Sequence, residues 1–424
     1  MLESVRKSMC IISFSPVARD ARILRQIKYL SPHYDLTVIG FGQLHSSWSQ
    51  IPNLTWKSLD PAQNINTTGR RGFIRDGLSA IRERQFKKIF SYFCFFGKKA
   101  FSVWALLLGR ILPGLYESWY WLYHTYSAAA LDIAIESKCH IFYANDWNTL
   151  PIAVKAAGKN KACVVFDAHE YGPLEYEERR WWRILMSPAI HYILKKYSRF
   201  VDASLTVVPA LADRYRKEFK LSPIVVMNVP DAASVTSHIV DPAHIRLIYH
   251  GAAGQSRPLE RMIRTLALCD RRYTLHLMLV GSDPAYIMHL ERFSQEIAPG
   301  RVFFEKPVPP DMITSRIAEY DICFCLLEPL NYNTLNSLPN KFLDGIVAGL
   351  AVCIGPLPSM VEIVQRYGLG GVAPTSEPQD VADMLNRLTP GQIEKMKAAS
   401  RTAAKELNAD TEMKKLIELL KQLN

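Results

Sequence analysis

The sequence predicts two successive α/β domains, each a doubly wound parallel sheet, that face each other across a cleft. Short apolar runs alternate with segments of helical periodicity along most of the chain, as in parallel sheets whose strands are covered on both faces. The alternation breaks twice, once in a basic aromatic segment and once in a linker. A length of 424 residues exceeds one ordinary core and fits two domains of roughly 200 residues.

The first series of strands is expected at residues 9–14, 36–40, 140–144, 162–167, 204–208 and 224–227. A helix near Ser187–Tyr197 lies between the fourth and fifth of them. The second series is expected at residues 245–250, 275–281, 302–304, 322–326 and 351–355. We therefore expect an N-terminal domain over residues 1–231, a linker over 232–244 and a C-terminal domain over 245–424.

The composition is that of a folded globular protein, with 49% hydrophobic and 21% charged residues. Its eight cysteines are scattered, and several lie in apolar runs. No pair has Cys-x-x-Cys spacing, so the pattern favours reduced buried thiols over a disulfide frame or a zinc site. The apolar stretch from Met9 to Phe14 is short for a signal peptide and is soon followed by Pro16. These features favour a cytoplasmic protein.

An insertion of about residues 66–130 interrupts the first domain and carries much of the net charge of +11. Between Arg70 and Arg110 there are ten basic and two acidic residues, interleaved with aromatic ones. This pattern suits helices at an anionic membrane surface, while the uncharged stretch from Ala100 to Gly109 is about half the length of a membrane-spanning helix. The alternative is a helical insertion with internally packed rings and solvated charges. Nucleic-acid binding is not expected, since no known nucleic-acid module surrounds the charges.

The residues after each predicted strand are the first functional candidates, because parallel sheets bind ligands at the carboxyl ends of their strands. Ser337 could cap a helix whose first N–H groups face a phosphate. Lys341 and Asp344 would lie on one face of its first turns, and Gly349 would end it. Without a functional interpretation, the same segment could be any well-capped helix that precedes a strand.

The segment Ser337-Leu-Pro-Asn-Lys-Phe-Leu-Asp, followed by Ala-Gly-Leu-Ala-Val, resembles the donor-binding motif of the family-4 retaining glycosyltransferases. That resemblance implies the GT-B fold. The family has two glutamates eight positions apart, and here Asn336 and Asp344 occupy their places. The resemblance implies that Asp344 contacts the ribose of the nucleotide and that Asn336 lies near the transferred sugar. The other donor-binding residues it implies are Gly251, Arg257, Ser337, Leu338, Asn340 and Lys341.

The segment from Ile248 to Glu260 resembles the glycine loop that holds the donor diphosphate in this family. Arg257 matches the family's lysine, whereas Ala252 stands at its usual arginine, so the loop itself supplies one cation. A guanidinium can bind phosphate oxygens bidentately. A solvated surface arginine is the alternative.

On the acceptor side, His169 follows a predicted strand and matches a family position close to the transferred sugar, with Glu170 beside it. Asp146 also follows a strand, where it could cap a helix instead. The loop residues Arg19, Asp20 and Arg22 resemble the family's first-loop pattern, for which a surface ion pair is the alternative.

The resemblance implies transfer with retention of configuration from a nucleotide-sugar, most simply UDP- or GDP-linked, with no metal and no further cofactor. His169, Arg257 and Asp344 would be the catalytic residues. The basic insertion suggests a membrane-associated or cell-surface glycan acceptor and binding of residues 70–110 to the inner face of the membrane. Two alternatives remain open: a catalytically silent GT-B scaffold for another transferase, and an enzyme resembling sugar-nucleotide epimerases.

Overall fold

The computed structural model describes residues 6–43, 48, 50–60, 101–124, 126–233, 235, 238–254, 257, 259–281 and 283–423. They form two compact units. The first comprises Met1–Leu205, Asp213–Ile224 and Leu423, and the second comprises Thr206–Ala212, Val225–Gln422 and Asn424. The domain and linker boundaries expected from the sequence stay a prediction.

A seven-stranded sheet forms the centre of the first unit. Its strands are β1 (Ser8–Pro16), β2 (Asp35–Phe41), β3 (Leu54–Ser58), β4 (Ile141–Asn145), β5 (Cys163–Ala168), β6 (Ala203–Thr206) and β7 (Ile224–Val225), in the order β3-β2-β1-β4-β5-β6-β7. Strand β1 lies parallel to both β2 and β4. The strand order therefore reverses direction between β1 and β4, which is where doubly wound sheets bind ligands.

The helices of this part of the chain are α1 (Ala21–Leu30), α2 (residues 101–108), α3 (Gly114–Tyr123), α4 (Ser127–Glu136), α5 (Leu150–Asn160), α6 (Ser187–Tyr197) and α7 (Pro209–Phe219). A π-helical turn, Trp182–Met186, leads into α6. The helices α2 and α3 confirm the helical character expected for the later part of the insertion. The basic residues from Arg70 to Lys99 lie outside the described residues.

A six-stranded parallel sheet forms the centre of the second unit. Its strands are β8 (Ile245–Ala252), β9 (Tyr273–Val280), β10 (Val302–Glu305), β11 (Ile322–Cys325), β12 (Ala351–Ile354) and β13 (Gly370–Val372), in the order β10-β9-β8-β11-β12-β13. All five strand pairs are parallel. The point of reversal lies between β8 and β11.

The helices of the second unit are α8 (Leu259–Leu268), α9 (Pro284–Ile297), α10 (Ile313–Ile317), α11 (Tyr332–Leu335), α12 (Asn340–Val347), α13 (Pro358–Tyr367), α14 (Pro378–Asn386), α15 (Pro390–Ala403) and α16 (Ala409–Lys421). Across the described ranges of both units, no helix is both long and apolar enough to cross a membrane.

The sheet of the second unit has an apolar core on each face. Along β11, Phe324 packs in one core and its neighbours Cys323 and Cys325 pack in the other. Covering both faces explains why the strands read as uninterrupted apolar runs. The doubly wound fold class is confirmed. The seven cysteines in the described part of the chain are free thiols, as their scattered positions predicted.

One close contact sets the position of helix α12 against strand β11. A Cβ atom added at Gly345 would lie 2.6 Å from the Cβ of Cys323, closer than side chains approach in folded proteins. Only glycine therefore lets the helix lie directly on the strand. The contact fixes the first two turns of α12, which carry Lys341 and Asp344.

We expect Gly345→Ala to lower the free energy of unfolding by about 1–3 kcal/mol, because the added methyl group forces helix and strand apart. Thermal denaturation measures the change. Gly391→Ala is the matched control, since Gly391 lies in the first turn of α15 with open space where its Cβ would be. Equal melting temperatures for the two variants would contradict a tight contact at Gly345.

Candidate functional site

Polar and charged side chains cluster near the carboxyl ends of the strands in each unit, close to the point where the strand order reverses. In the second unit the cluster contains His250, Lys341 and Asp344. In the first unit it contains Arg22, Asp146, Asp167 and His169. The two clusters differ in how their charges are compensated.

Lys341 is a buried cation in the second unit. Its side chain lies beneath Gly251, with Cε 3.4 Å from where a Cβ of residue 251 would be. Its ammonium group lies 4.7 Å from the centre of the Tyr249 ring. Lys341 is only 9% exposed, yet it forms no salt bridge with any carboxylate among the described residues. Burial of a charge without a direct ion-pair partner is unfavourable, so this position is suited to an anionic ligand.

His250 and Asp344 lie beside this cation. Nε2 of His250 is 3.4 Å from a carboxylate oxygen of Asp344. Burial and the neighbouring Lys341 ammonium lower the pKa of His250 to about 4. The imidazole is therefore neutral at physiological pH and does not cancel the charge of Asp344.

The loop after β8 has the backbone conformation that its glycine predicts. Gly251 has a φ of +135°, a conformation that other residues rarely adopt. Ala252 is exposed, and Arg257 is half-buried beyond it. Both Arg257 and Lys341 lie close enough to Cys325, at the end of β11, to oppose the rise that burial causes in its pKa. The site therefore holds two cations, the second of them from α12 rather than from the loop.

The start of α12 differs from the expectation for Ser337. The helix begins at Asn340 with Pro339 as its N-cap residue, and no side chain caps it. The Ser337 hydroxyl instead donates to the carbonyl of Thr334 at 3.0 Å, because a separate short helix, α11, ends just before it. Lys341 and Asp344 do lie on the first turns, and Gly349 follows the helix end with φ +72°.

The remaining predicted donor residues lie around this helix start. Asn336 is buried, and its side-chain amide donates to the carbonyl of Tyr332 at 2.8 Å. Leu338 is half-buried against the apolar core. Asn340 is exposed, and its side chain accepts a hydrogen bond from Asn228 at 2.9 Å. The structure thus places all the predicted donor residues in one region of the second unit.

A buried ion pair anchors the cluster in the first unit. Arg22, on α1, donates two hydrogen bonds of 2.7 Å to the carboxylate of Asp167, at the end of β5. Gln26 and Tyr143 each donate a further bond of 2.9 Å to it. Although burial alone would raise the pKa of Asp167, Arg22 and His169 hold that pKa well below its usual range. Arg22 is therefore not part of a surface ion pair.

His169 lies between two carboxylates. Its Nδ1 is 3.2 Å from Asp146 and its Nε2 is 3.5 Å from Asp167. Burial opposes protonation, but the two carboxylates outweigh it and raise the pKa of His169 to about 10. Asp146 has a φ of +65°, strained for a residue other than glycine, and accepts a bond from the His169 amide at 3.0 Å. The ring is thus held as a fixed imidazolium.

The other predicted acceptor-side residues lie nearby. Glu170 follows His169 in the chain, and desolvation by the surrounding protein, together with the charges of Glu175 and Asp146, raises its pKa to about 7. Asp20 caps α1 by accepting bonds from the amides of Arg22 and Ile23. Arg19 is exposed in the turn before it.

Several residues of the two clusters were missed by the sequence analysis: Gln26, Tyr143, Asp167, Tyr249 and His250. A signal was present for Asp167 and His250, since each is a polar residue near the end of an apolar strand. No local signal could pair Arg22 with Asp167, which lie 145 positions apart. In the described part of the chain, no group of three or more His, Cys, Asp or Glu residues could hold a metal ion.

The sequence matches no protein-family model, and no curated protein matches it significantly. Solved structures do share its fold. HepE from Anabaena, in complex with UDP and glucose, superposes with a TM-score of 0.64 at 14% identity, over 98% of this chain and 100% of that one. Sucrose-phosphate synthase from Thermosynechococcus elongatus superposes with a TM-score of 0.62 at 14% identity, over 99% of each chain.

The lipopolysaccharide outer core galactosyltransferase WaaB, in its apo form, gives a TM-score of 0.60 at 12% identity, over 98% of this chain and 99% of that one. With two Rossmann-like parallel sheets and these structural neighbours, the fold is GT-B. At such low identities, the similarity establishes the fold and not the reaction.

We expect Asp146→Asn and Asp167→Asn each to lower the pKa of His169 towards its usual value near 6.5, because each removes one of the flanking charges. NMR titration of the His169 ring measures this. Asp213→Asn is the control, since that exposed aspartate pairs with Arg216 instead. An unchanged His169 pKa in both variants would contradict the two-carboxylate arrangement.

The interaction of His169 with its two carboxylates also makes the folding stability of the protein depend on pH. The folded-state pKa of His169, about 10, lies above the unfolded value near 6.5. Its contribution to stability is therefore complete below about pH 6.5 and is lost as the pH rises towards 10. Melting temperatures measured across this range should fall less in Asp146→Asn than in the wild type.

Proposed function

We propose that this protein is a retaining glycosyltransferase that takes a sugar from a nucleotide-sugar donor. The observation that carries the proposal is the buried cation Lys341, which lies beneath Gly251 at the switch point of the second sheet without a carboxylate partner among the described residues. A diphosphate would supply the missing negative charge. The fold agrees with this, since HepE, which shares it, was solved with UDP-glucose bound.

In this proposal the donor binds to the second unit. Lys341 and Arg257 stabilise the charge that develops on the departing diphosphate, which is the main electrostatic demand of the reaction. The amide groups at the uncapped start of α12 add the positive end of a helix dipole. Asp344 accepts hydrogen bonds from the ribose hydroxyls. UDP is the first nucleotide to test, with GDP second.

The first unit would hold the acceptor. The His169 imidazolium donates a hydrogen bond to a hydroxyl of the transferred sugar or of the acceptor, and the leaving diphosphate receives the acceptor's proton. Retention of configuration then needs no enzymic nucleophile, and the protein contributes mainly positioning and charge. We propose no metal ion and no further cofactor in this reaction.

The proposed acceptor is a membrane-associated or cell-surface glycan, and the proposed location is the cytoplasmic face of the membrane. The charge of residues 70–110 motivates this, although most of that segment lies outside the described residues. A silent scaffold is the main alternative, motivated by Asn336 and Ala252, where the resembling family has glutamate and arginine. An assay of sugar release from the donor in the presence of acceptor distinguishes an active transferase from a silent scaffold.

We expect one nucleoside diphosphate among UDP, GDP, ADP and CDP to raise the melting temperature by several degrees. Ligand at 100 times its dissociation constant stabilises by about 2.7 kcal/mol. Arg257→Ala and Asp344→Ala should reduce that shift. Arg271→Ala, which removes an exposed arginine elsewhere in the second unit, should leave it unchanged.

Lys341→Met gives a sharper test, because it separates a binding role from a structural one. Removing an uncompensated buried charge should leave the ligand-free protein at least as stable as the wild type. The same variant should bind the nucleotide at least about 10-fold more weakly. A ligand-free variant that is strongly destabilised would mean that Lys341 is a structural residue.

A further inference from the structure

A surface of the first unit exposes large apolar side chains from two separate segments. We call it the apolar face and define it as residues 101–112, which include α2, together with residues 181–184 of the π-helical turn. Ile111 is 77% exposed, Trp104 61%, Leu112 59% and Trp181 50%. Its other exposed apolar residues are Phe101, Val103, Leu107, Leu108 and Ile184. So many exposed apolar side chains in two short segments indicate an interaction site rather than scattered surface residues.

The two segments of the apolar face are held together by specific contacts. A guanidinium nitrogen of Arg110 donates to the carbonyl of Ile184 at 2.9 Å. Gly109 lies directly against the ring of Tyr116, which fixes the end of α2 on α3. Trp182 is buried and donates from its indole nitrogen to the carbonyl of Pro173 at 3.1 Å. The exposed side chains are therefore presented by a packed support.

The two segments of the apolar face themselves carry arginine and no acidic residue. Residues 101–112 and 179–184 contain four arginines and no acidic residue: Arg110, Arg179, Arg180 and Arg183. Three acidic residues, Glu175, Glu177 and Glu178, precede the second segment, and Glu178 lies 3.7 Å from Arg179. Tryptophan and aliphatic side chains bordered by arginine suit the boundary between lipid headgroups and acyl chains, where rings are amphipathic and cations meet anionic phosphates.

We propose that the apolar face docks on an anionic lipid bilayer, with Trp104, Ile111 and Trp181 entering the headgroup region and the arginines contacting lipid phosphates. A second copy of the chain fits less well. A two-fold interface would bring each face against itself and place the arginines of both copies around one contact. The purpose of docking rests on the proposed function, since it would bring the acceptor side to a membrane-borne acceptor, but its test needs no sugar transfer.

The experiment is co-sedimentation of the full-length protein with vesicles of phosphatidylglycerol and phosphatidylcholine, compared with phosphatidylcholine alone. The wild type should bind the anionic vesicles, and more weakly at high salt. Trp104→Ser with Ile111→Ser should weaken binding about 100-fold, from about tenfold for each apolar side chain. Arg180→Ala with Arg183→Ala should weaken it about 25-fold and remove part of the salt dependence.

The matched control is Met288→Ser with Met312→Ser. These two methionines are each 53% exposed, like the residues of the apolar face, but lie in the second unit. The control should bind vesicles as the wild type does. Circular dichroism should find all variants folded, because every replaced side chain is exposed.

Two results would overturn the proposal: no binding of the wild type to anionic vesicles, or equal binding by the wild type and the serine variant of the apolar face. A wild-type dimer that this variant converts to a monomer, without vesicle binding, would assign the face to a second copy instead. Nucleotide-induced stabilisation is measured on the same preparations. A failure of docking with nucleotide binding intact therefore leaves the proposed function standing.

Discussion

The close contact between Gly345 and Cys323 is the constraint on which the candidate donor site depends. It lets α12 lie directly on β11, and the first two turns of that helix then bring Lys341 beneath Gly251 and Asp344 beside His250. A side chain at position 345 would move the helix away from the strand. Because Gly251 itself has a positive φ, two glycines with different roles define the space beneath the loop.

The two clusters deal with buried charge in opposite ways. In the first unit, Arg22 and Asp167 neutralise each other, and the His169 cation lies between two carboxylates. That arrangement holds the imidazole in one charge state and one orientation, while Nε2 of His169 has no hydrogen-bond partner among the described residues. In the second unit, the Lys341 ammonium lies against the face of the Tyr249 ring and forms no salt bridge with a carboxylate among the described residues. The first cluster is suited to positioning and the second to binding an anion.

The sequence predicted the fold class because buried parallel strands appear as apolar runs, and all eleven expected strands lie within about two residues of those observed. The strands β3 and β13 were missed. Leu54–Ser58 is a sheet-edge strand of alternating exposure, and Gly370–Val372 is short and begins with two glycines, so neither forms an apolar run.

The site was predictable where chemistry follows a strand or a helix start, as for His169, Lys341 and Asp344. It was not predictable where it depends on long-range pairing, as for Arg22 with Asp167. The cap expected at Ser337 was wrong because Pro339 disfavours the helical conformation at Leu338, and Pro339 is itself extended, so the helix begins at Asn340.

The central claim is that Lys341 and Arg257 bind the diphosphate of a nucleotide-sugar. Isothermal titration calorimetry with a nucleoside, its monophosphate and its diphosphate, for uridine and for guanosine, tests it most directly. For one base, we predict that affinity rises steeply from the nucleoside to the diphosphate in the wild type, and that Lys341→Met loses most of that rise. Equal affinity for the nucleoside and its diphosphate, or no binding in either series, would contradict the claim.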